Sequence, residues 1–555
     1  MNDFYSKIAS TVDNVSITEN GAVGYKTTSH AMLDFNFKIA SYRRNLKQAA
    51  EDFKKVLNEN EAYALKFLFY VRDAREGVGE RDLFKTCLKV LVESSSVNVD
   101  SVIETIIKET PEFGRWDDLF VLLDTKYAGL VFAAVKKQLA EDFSNYSKNK
   151  SVSLLAKWMP SENASSKETK KLAKMFIANL GTTPRVYRQT LSTLREYLKV
   201  VEVKTCAKEW ADIDYNTVPS KANIKYANAF LRNDETRRRQ YLADLNRGVD
   251  KDGNVVKINS SVNTPHDVLH MYEGYPSYWR SDNVRIKAYD ETIEQLWKNL
   301  KGCEGLKDTI VVRDDSGSMS STIGGTKVSA YEVATALAIY CAEHNSDAYK
   351  NKVITFSETP RYLDFSDEQH FGSLHSKYKF LLQHSEVANT NVEAVFDLIL
   401  NTAVENKCTQ EEMPKQILIL SDMEFDSCAE TNSSRRGGVS ISLMTTIARK
   451  YSAFGYKLPR LIFWNLNSRT GTIPMKENEA GVVLVSGFSQ NILKLVQSGK
   501  TDPYEVLLDG LRVARYESIP LLSFGKTATS TITRTRKAPT SYKRTGKAET
   551  PDFLK

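Results

Sequence analysis

Beyond Lys301 the sequence alternates between two periodicities, and that alternation constrains the fold more than any other feature. Five short runs, DTIVVR, NKVITFS, KQILILS, RLIFWNL and GVVLVSG, are almost continuously apolar and rich in β-branched residues. Between them lie SAYEVATALAIYCAEH, NVEAVFDLILNTAVEN, SLMTTIARKYSAF and QNILKLVQSG, in which apolar residues recur at helical spacing. A strand that is apolar at nearly every position is buried on both faces, which requires helices on either side of a parallel sheet. The expectation is a doubly wound α/β domain, with its ligand beyond the carboxyl ends of the strands. The stretch DDSGSMS (314–320) follows the first of these strands.

From about Leu33 to Trp297 the pattern is helical instead. Segments such as ENEAYALKFLFYVRDAR, RDLFKTCLKVLVESS, GLVFAAVKKQLAEDF and VYRQTLSTLREYLKVVE carry one apolar face each. Turn residues punctuate them at Gly77/Gly79, Pro111/Gly114, Pro160, Gly181/Pro184 and Pro219. Short amphipathic helices joined by short turns read as helix pairs stacked in a HEAT-like solenoid, with a compact bundle as the competing arrangement. The expected fold class is therefore α plus α/β. An N-terminal extension (1–24) precedes a helical module (25–300), an α/β domain (301–525) and a basic tail (526–555). A chain of 555 residues is long enough for two such cores.

Composition narrows the functional classes. No apolar run approaches the roughly 20 residues that span a bilayer, and the first residues lack the basic and apolar blocks of a signal peptide. The six cysteines are scattered without a CxxC pair, which argues for a reducing compartment and against a disulfide framework or zinc knuckle. A cytoplasmic protein without membrane contact is expected. Net charge is +7, and residues 526–555 alone hold eight Lys/Arg against two acids. Such a tail buries too little apolar surface to fold, and suits either a polyanion or simple solubility.

Read as D-x-S-x-S, residues 314–318 place Asp314, Ser316 and Ser318 in one tight loop. A carboxylate and two hydroxyls are hard oxygen ligands, suited to Mg²⁺ and also to Mn²⁺. Three ligands leave such a site incomplete. VANTNVEAVF offers Thr390 just before a helix, and ILILSDMEFD offers Asp422 just after a buried strand. A serine-hydrolase elbow requires G-x-S-x-G, which SGSMSS does not supply. A turn built from Asp, Ser and Gly without any metal is the plain alternative.

These pieces resemble the metal-ion-dependent adhesion site of von Willebrand factor A (vWA) domains, over roughly residues 301–516. Carried across residue by residue, the resemblance implies the ligands Asp314, Ser316, Ser318, Thr390 and Asp422. Ala388–Asn389 stand where that family often has Gly-Gly before the Thr. Such a site binds rather than reacts, leaving one coordination position for water or a partner's carboxylate, so no enzymatic activity is expected. The helical region carries a second resemblance. FLFYVRDAREGVGERDLF (67–84), FGRWDDLF (113–120) and LLAKWMPSE (154–162) are similar to signature segments of TROVE-module proteins, the Ro autoantigen type and its bacterial and phage relatives. That resemblance implies helices closed into a ring that holds non-coding RNA as a ribonucleoprotein.

RNA affinity needs cations for phosphate and flat groups for bases. Arg185, Tyr187, Arg188 and Arg195 form one candidate cluster, and Arg237, Arg238 and Arg239 another, although most Lys and Arg simply solvate helix faces. Outside the tail the chain is nearly neutral. The alternative function is a protein-interaction scaffold whose metal site grips an acidic partner without RNA. Smaller motifs have bland readings. EGVGERD has no preceding strand and reads as an inter-helix turn tied by salt bridges, not a nucleotide loop. His266 and His270 lack a third metal ligand and read as buried or capping residues. VDKDGNVV reads as a hairpin turn.

Overall fold

The computed structural model describes residues 13–273, 286–302, 306–324, 326–356, 358–385, 391–425, 443–474, 482–496 and 502–524. The basic tail lies outside them. No helix among the described residues is long and apolar enough to cross a membrane.

The five apolar runs form strands β3 (Thr309–Asp314), β4 (Lys352–Phe356), β6 (Gln416–Ser421), β7 (Arg460–Asn465) and β8 (Val482–Ser486). With β5 (Arg361–Asp364) they make one six-stranded mixed sheet in the order β5-β4-β3-β6-β7-β8. Only β5, at the edge, runs antiparallel. It escapes a reading based on apolar runs because only Leu363 of its four residues is buried. The helix Ala330–Glu343 is buried almost all round and packs along β3, β4 and β6. From β3 the chain moves outward to β4, and from β6 it moves the other way to β7. The carboxyl ends of β3 and β6 therefore lie side by side where the winding reverses, the usual place for a ligand in an open sheet.

The N-terminal region is helical, as its periodicity predicts. The long segment KYANAFLRNDETRRRQYLADL divides at Asp234 into helices Ser220–Asn233 and Glu235–Arg247. Pro111, expected to mark a turn, instead sits in the last turn of helix Ile103–Phe113, and the break falls at Gly114. A Cβ at Gly114 would come within 2.6 Å of both Arg72 Nε and Asp118 Oδ2, so only glycine lets that pair close. The EGVGERD turn is tied by ion pairs as expected. Arg81 bridges Asp117 and Asp118, Glu80 receives Arg43, and Asp73 receives Arg515. Asp250 accepts the amides of Asp252 and Asn254, making the predicted turn of VDKDGNVV.

The two regions do not separate at a linker. A short hairpin, β1 (Val15–Ile17) and β2 (Val23–Tyr25), lies far from the six-stranded sheet in sequence order yet docks beside its carboxyl end. Tyr25 and Ile473 exchange backbone bonds of 2.9 and 2.8 Å there. The helix Ala31–Phe37 packs on β8, and Asn36 Nδ2 donates to Leu484 O at 3.2 Å. Conversely, the helix Pro503–Leu511 packs back against helix Ala64–Arg72 as well as β8.

Candidate metal centre

The D-x-S-x-S loop begins where β3 ends. The Asp314 carboxylate accepts the Ser316 amide at 2.9 Å on Oδ1 and the Ser421 hydroxyl at 2.6 Å on Oδ2. The Ser316 and Ser318 hydroxyls lie 3.0 Å apart, and Ser318 stands close enough to Asp422 to stabilise its charge. Four of the five expected ligands, Asp314, Ser316, Ser318 and Asp422, thus converge from two adjacent strand ends. Thr390 lies outside the described residues.

Electrostatics set this cluster apart from an ordinary turn. Asp314 and Asp422 are fully buried. Burial raises the pKa of both well above the usual carboxylate range, and the Asp422 charge pushes Asp314 higher still. Asp422 Oδ2 has no hydrogen-bond partner among the described residues. The nearest cation, Arg469 Nη2, stands 3.7 Å away, beyond hydrogen-bonding length. Two buried carboxylates with converging hydroxyls and an orphaned oxygen fit a small divalent cation, and a metal-free turn leaves them uncompensated. The neighbouring Asp315 faces the other way. It pairs with the fully buried Arg313, which explains why the strand ends in two acids.

Several participants were not found by sequence reasoning. Met423 adopts a left-handed backbone (φ +64°), an unusual conformation for a buried residue with a side chain. Glu424 accepts from the Glu19 amide at 2.9 Å, the Arg469 amide at 2.7 Å, the Thr470 amide at 2.9 Å and the hydroxyls of Ser468 and Thr470. Its capacity is spent on holding two loops together, so it is a positioning residue rather than a ligand. The available signal was SDMEFD itself, where a serine and a second acid flank Asp422.

The candidate RNA residues are dispersed. Arg185, Tyr187, Arg188 and Arg195 lie on helix Pro184–Tyr197, which packs on helices Ala128–Ser147 and Leu155–Trp158. Arg237, Arg238 and Arg239 lie on helix Glu235–Arg247, against helices Ser220–Asn233 and Glu291–Lys298. Tyr187 is buried and its hydroxyl donates to Pro160 O, so its ring is not presented for base stacking. Arg238 is also fully buried, between the rings of Tyr215, Phe230 and Tyr241. Arg195 is bound to Ala156 O, Met159 O and Ser161 Oγ, and Arg237 to Asp234, Trp210 O and Ile213 O. Arg188 pairs with Glu162 and Arg239 with Glu235, while Arg185 is exposed. His266 bonds Thr264 and His270 bonds Glu332, in keeping with structural roles.

Comparison with known proteins gives matches to two separate parts of the chain. Residues 18–141 and 178–304 match a domain of unknown function, DUF2828, and residues 308–510 match another, DUF7788. The chain is also 29% identical over 539 residues to "Uncharacterized protein L728" of Acanthamoeba polyphaga mimivirus, a match spanning 89% of this chain and 87% of that protein. One family match thus ends at residue 304 and the next begins at 308, where the helical pattern gives way to strands.

Proposed function

We propose that this chain is a non-catalytic binding protein whose C-terminal sheet is a vWA-type domain holding Mg²⁺ or Mn²⁺ at Asp314, Ser316, Ser318 and Asp422, with Thr390 as the expected fifth ligand. The observation that carries this reading is the buried pair Asp314 and Asp422, brought to the point where the winding reverses, with Asp422 Oδ2 unbonded among the described residues. When bound, the cation would supply a positively charged anchor for a carboxylate oxygen. The chain's own groups supply the rest. Ser421 and the Ser316 amide fix the Asp314 carboxylate, and Glu424 clamps the adjoining loop. Calorimetric titration with Mg²⁺ and Mn²⁺ tests the reading: the chain binds, and both Asp314→Asn and Asp422→Asn abolish binding. A wild-type chain that takes up neither ion refutes it.

Non-coding RNA held by a TROVE-like, HEAT-like helical module is the second element of the proposal. Its support narrows to exposed Arg185, the surface pairs at Arg188 and Arg239, and the tail. Titration of RNA carrying a single-stranded 3′ end, against the full chain and a version ending at Gly525, separates the two sources. Retained preference after truncation places RNA on the helices. Loss with the tail leaves an interaction scaffold that contacts an acidic protein through the metal site.

A further inference from the structure

The divalent-cation reading leaves open what completes the coordination shell, and the N-terminal hairpin supplies an answer that rests on that reading. The hairpin lies against the loops that follow β6 and β7. Its tip is fixed by three bonds: Thr18 Oγ1 donates to Phe425 O at 2.6 Å, the Glu19 amide to Glu424 Oε2 at 2.9 Å, and Asn20 Nδ2 to Glu424 O at 2.7 Å. Its base is fixed by the Tyr25–Ile473 pairing and by a 2.9 Å bond between the Ser16 and Thr472 hydroxyls. The Glu19 backbone is therefore anchored, while its side chain is 53% exposed and held, among the described residues, only by its ion pair with Arg469.

One guanidinium nitrogen defines the geometry. Arg469 Nη2 stands 2.6 Å from Glu19 Oε2 and 3.7 Å from Asp422 Oδ2. A carboxylate of the hairpin and the orphaned carboxylate of the site thus face each other across a single positive charge. Arg44 lies at the same edge, where it donates to Thr322 O at 3.2 Å and Ser321 Oγ at 3.4 Å. Burial and the charge of Arg469 lower its pKa, while Asp422 and Glu424 act the other way. Arg469 is held by its backbone amide on Glu424, so its side chain can leave without unravelling the loop.

We propose that Glu19 is a ligand the chain itself supplies to the cation at Asp422, with Arg469 keeping that place in the cation-free protein. The hairpin then closes the site, and an outside carboxylate gains access only by displacing it. A divalent cation between Asp422 and Glu19 satisfies the Asp422 oxygen that Arg469 reaches only at long range, and it repels the guanidinium out of the gap.

The test uses the full chain, with Mg²⁺ as the probe and two readouts: calorimetric affinity, and hydrogen exchange of residues 13–27 with and without the ion. Glu19→Gln is expected to weaken Mg²⁺ binding roughly tenfold or more and to remove the Mg²⁺-dependent slowing of exchange in the hairpin. Glu19→Asp, with a shorter reach, falls between the two. Arg469→Gln, which removes the competing cation, is expected to tighten Mg²⁺ binding, a gain that a merely destabilised loop does not give. If Glu19→Gln binds as wild type does while Asp422→Asn does not bind, the cation site stands and the proposal fails. If wild type binds no Mg²⁺, the proposal falls together with the reading beneath it.

Discussion

Arg238 lies with its guanidinium carbon 4.9, 5.4 and 5.1 Å from the ring centres of Tyr215, Phe230 and Tyr241, and none of its nitrogens finds a hydrogen-bond partner among the described residues. Burial lowers its pKa, and the aromatic faces, with a smaller contribution from the Asp290 charge, offset part of the lost hydration. Replacing a buried charge by an apolar side chain of similar volume is often neutral or stabilising. Arg238→Met is accordingly expected to hold or raise stability by about 1 kcal/mol, whereas Arg238→Ala opens a cavity and costs about 2–4 kcal/mol. Urea midpoints of the three proteins decide it, and a large loss in the Met variant would show that the cation–π contacts outweigh desolvation. The sequence offered a hint of this burial. Consecutive helical residues are separated by about 100°, so Arg237, Arg238 and Arg239 cannot share one solvated face. The same geometry separates inward Tyr187 from outward Arg188.

Among the elements, the apolar strands were legible because burial on both faces leaves no alternation to misread. The hairpin was not, since three residues in each strand are too few to establish a period. The convergence of Asp314, Ser316, Ser318 and Asp422 was legible because the D-x-S-x-S loop starts at the last residue of β3 and Asp422 directly follows β6. Glu19, Ser421, Glu424 and Arg469 were not, because their roles depend on loops that meet only after folding: Glu19 and Glu424 are 405 positions apart. In FGRWDDLF, Trp116 packs against the core, Arg115 stacks on Trp158 with its guanidinium carbon 4.2 Å from the ring centre, and Asp118 carries an ion pair with Arg72. Burial opposes the charge of Asp118, yet Arg72 and Arg81 overcome it and lower its pKa. Asp118→Asn would leave Arg72 buried without a counter-charge. A loss of about 3–5 kcal/mol in unfolding free energy is expected, with a much smaller loss for Asp117→Asn at the more exposed end of the network. Equal losses would show that the buried pair carries no special weight.

At the scale of the molecule, the helical and sheet regions share a polar seam. Glu294 accepts the amides of Leu374 and His375 at 2.8 and 3.0 Å, and Trp297 Nε1 donates to Glu343 at 2.8 Å. Nearby, Tyr378 donates to Glu273, and His270 Nδ1 meets Glu332 at 2.6 Å. Burial first, and then the Glu332 charge, push Glu273 up to about 7, against the pull of His270 and Lys287. A carboxyl whose folded pKa is raised contributes stability that is complete below its unfolded value, near 4.5, and lost as pH rises through about 7. His270, raised chiefly by its bond to Glu332, loses its contribution as pH rises above 6.5. Buried His266, lowered to about 4, opposes both below pH 6.5. Thermal midpoints between pH 5 and 8 should therefore fall with rising pH less steeply in Glu273→Gln than in wild type. Identical slopes would show that Glu273 does not sense the seam.

The interleaving of the two ends of the chain also dictates when the protein can be finished. The Ala40 amide donates to the Ser486 hydroxyl, 446 positions later. At roughly 5–20 residues per second, a ribosome needs about 20–90 s to deliver that partner. Phe35 finds Tyr42, Phe53 and Phe67 early, but the face of helix Ala31–Phe37 that meets β8 waits through most of translation for the strand that covers it. A nascent chain stalled before β8 would display the apolar face that this strand covers to whatever chaperone or aggregate meets it first.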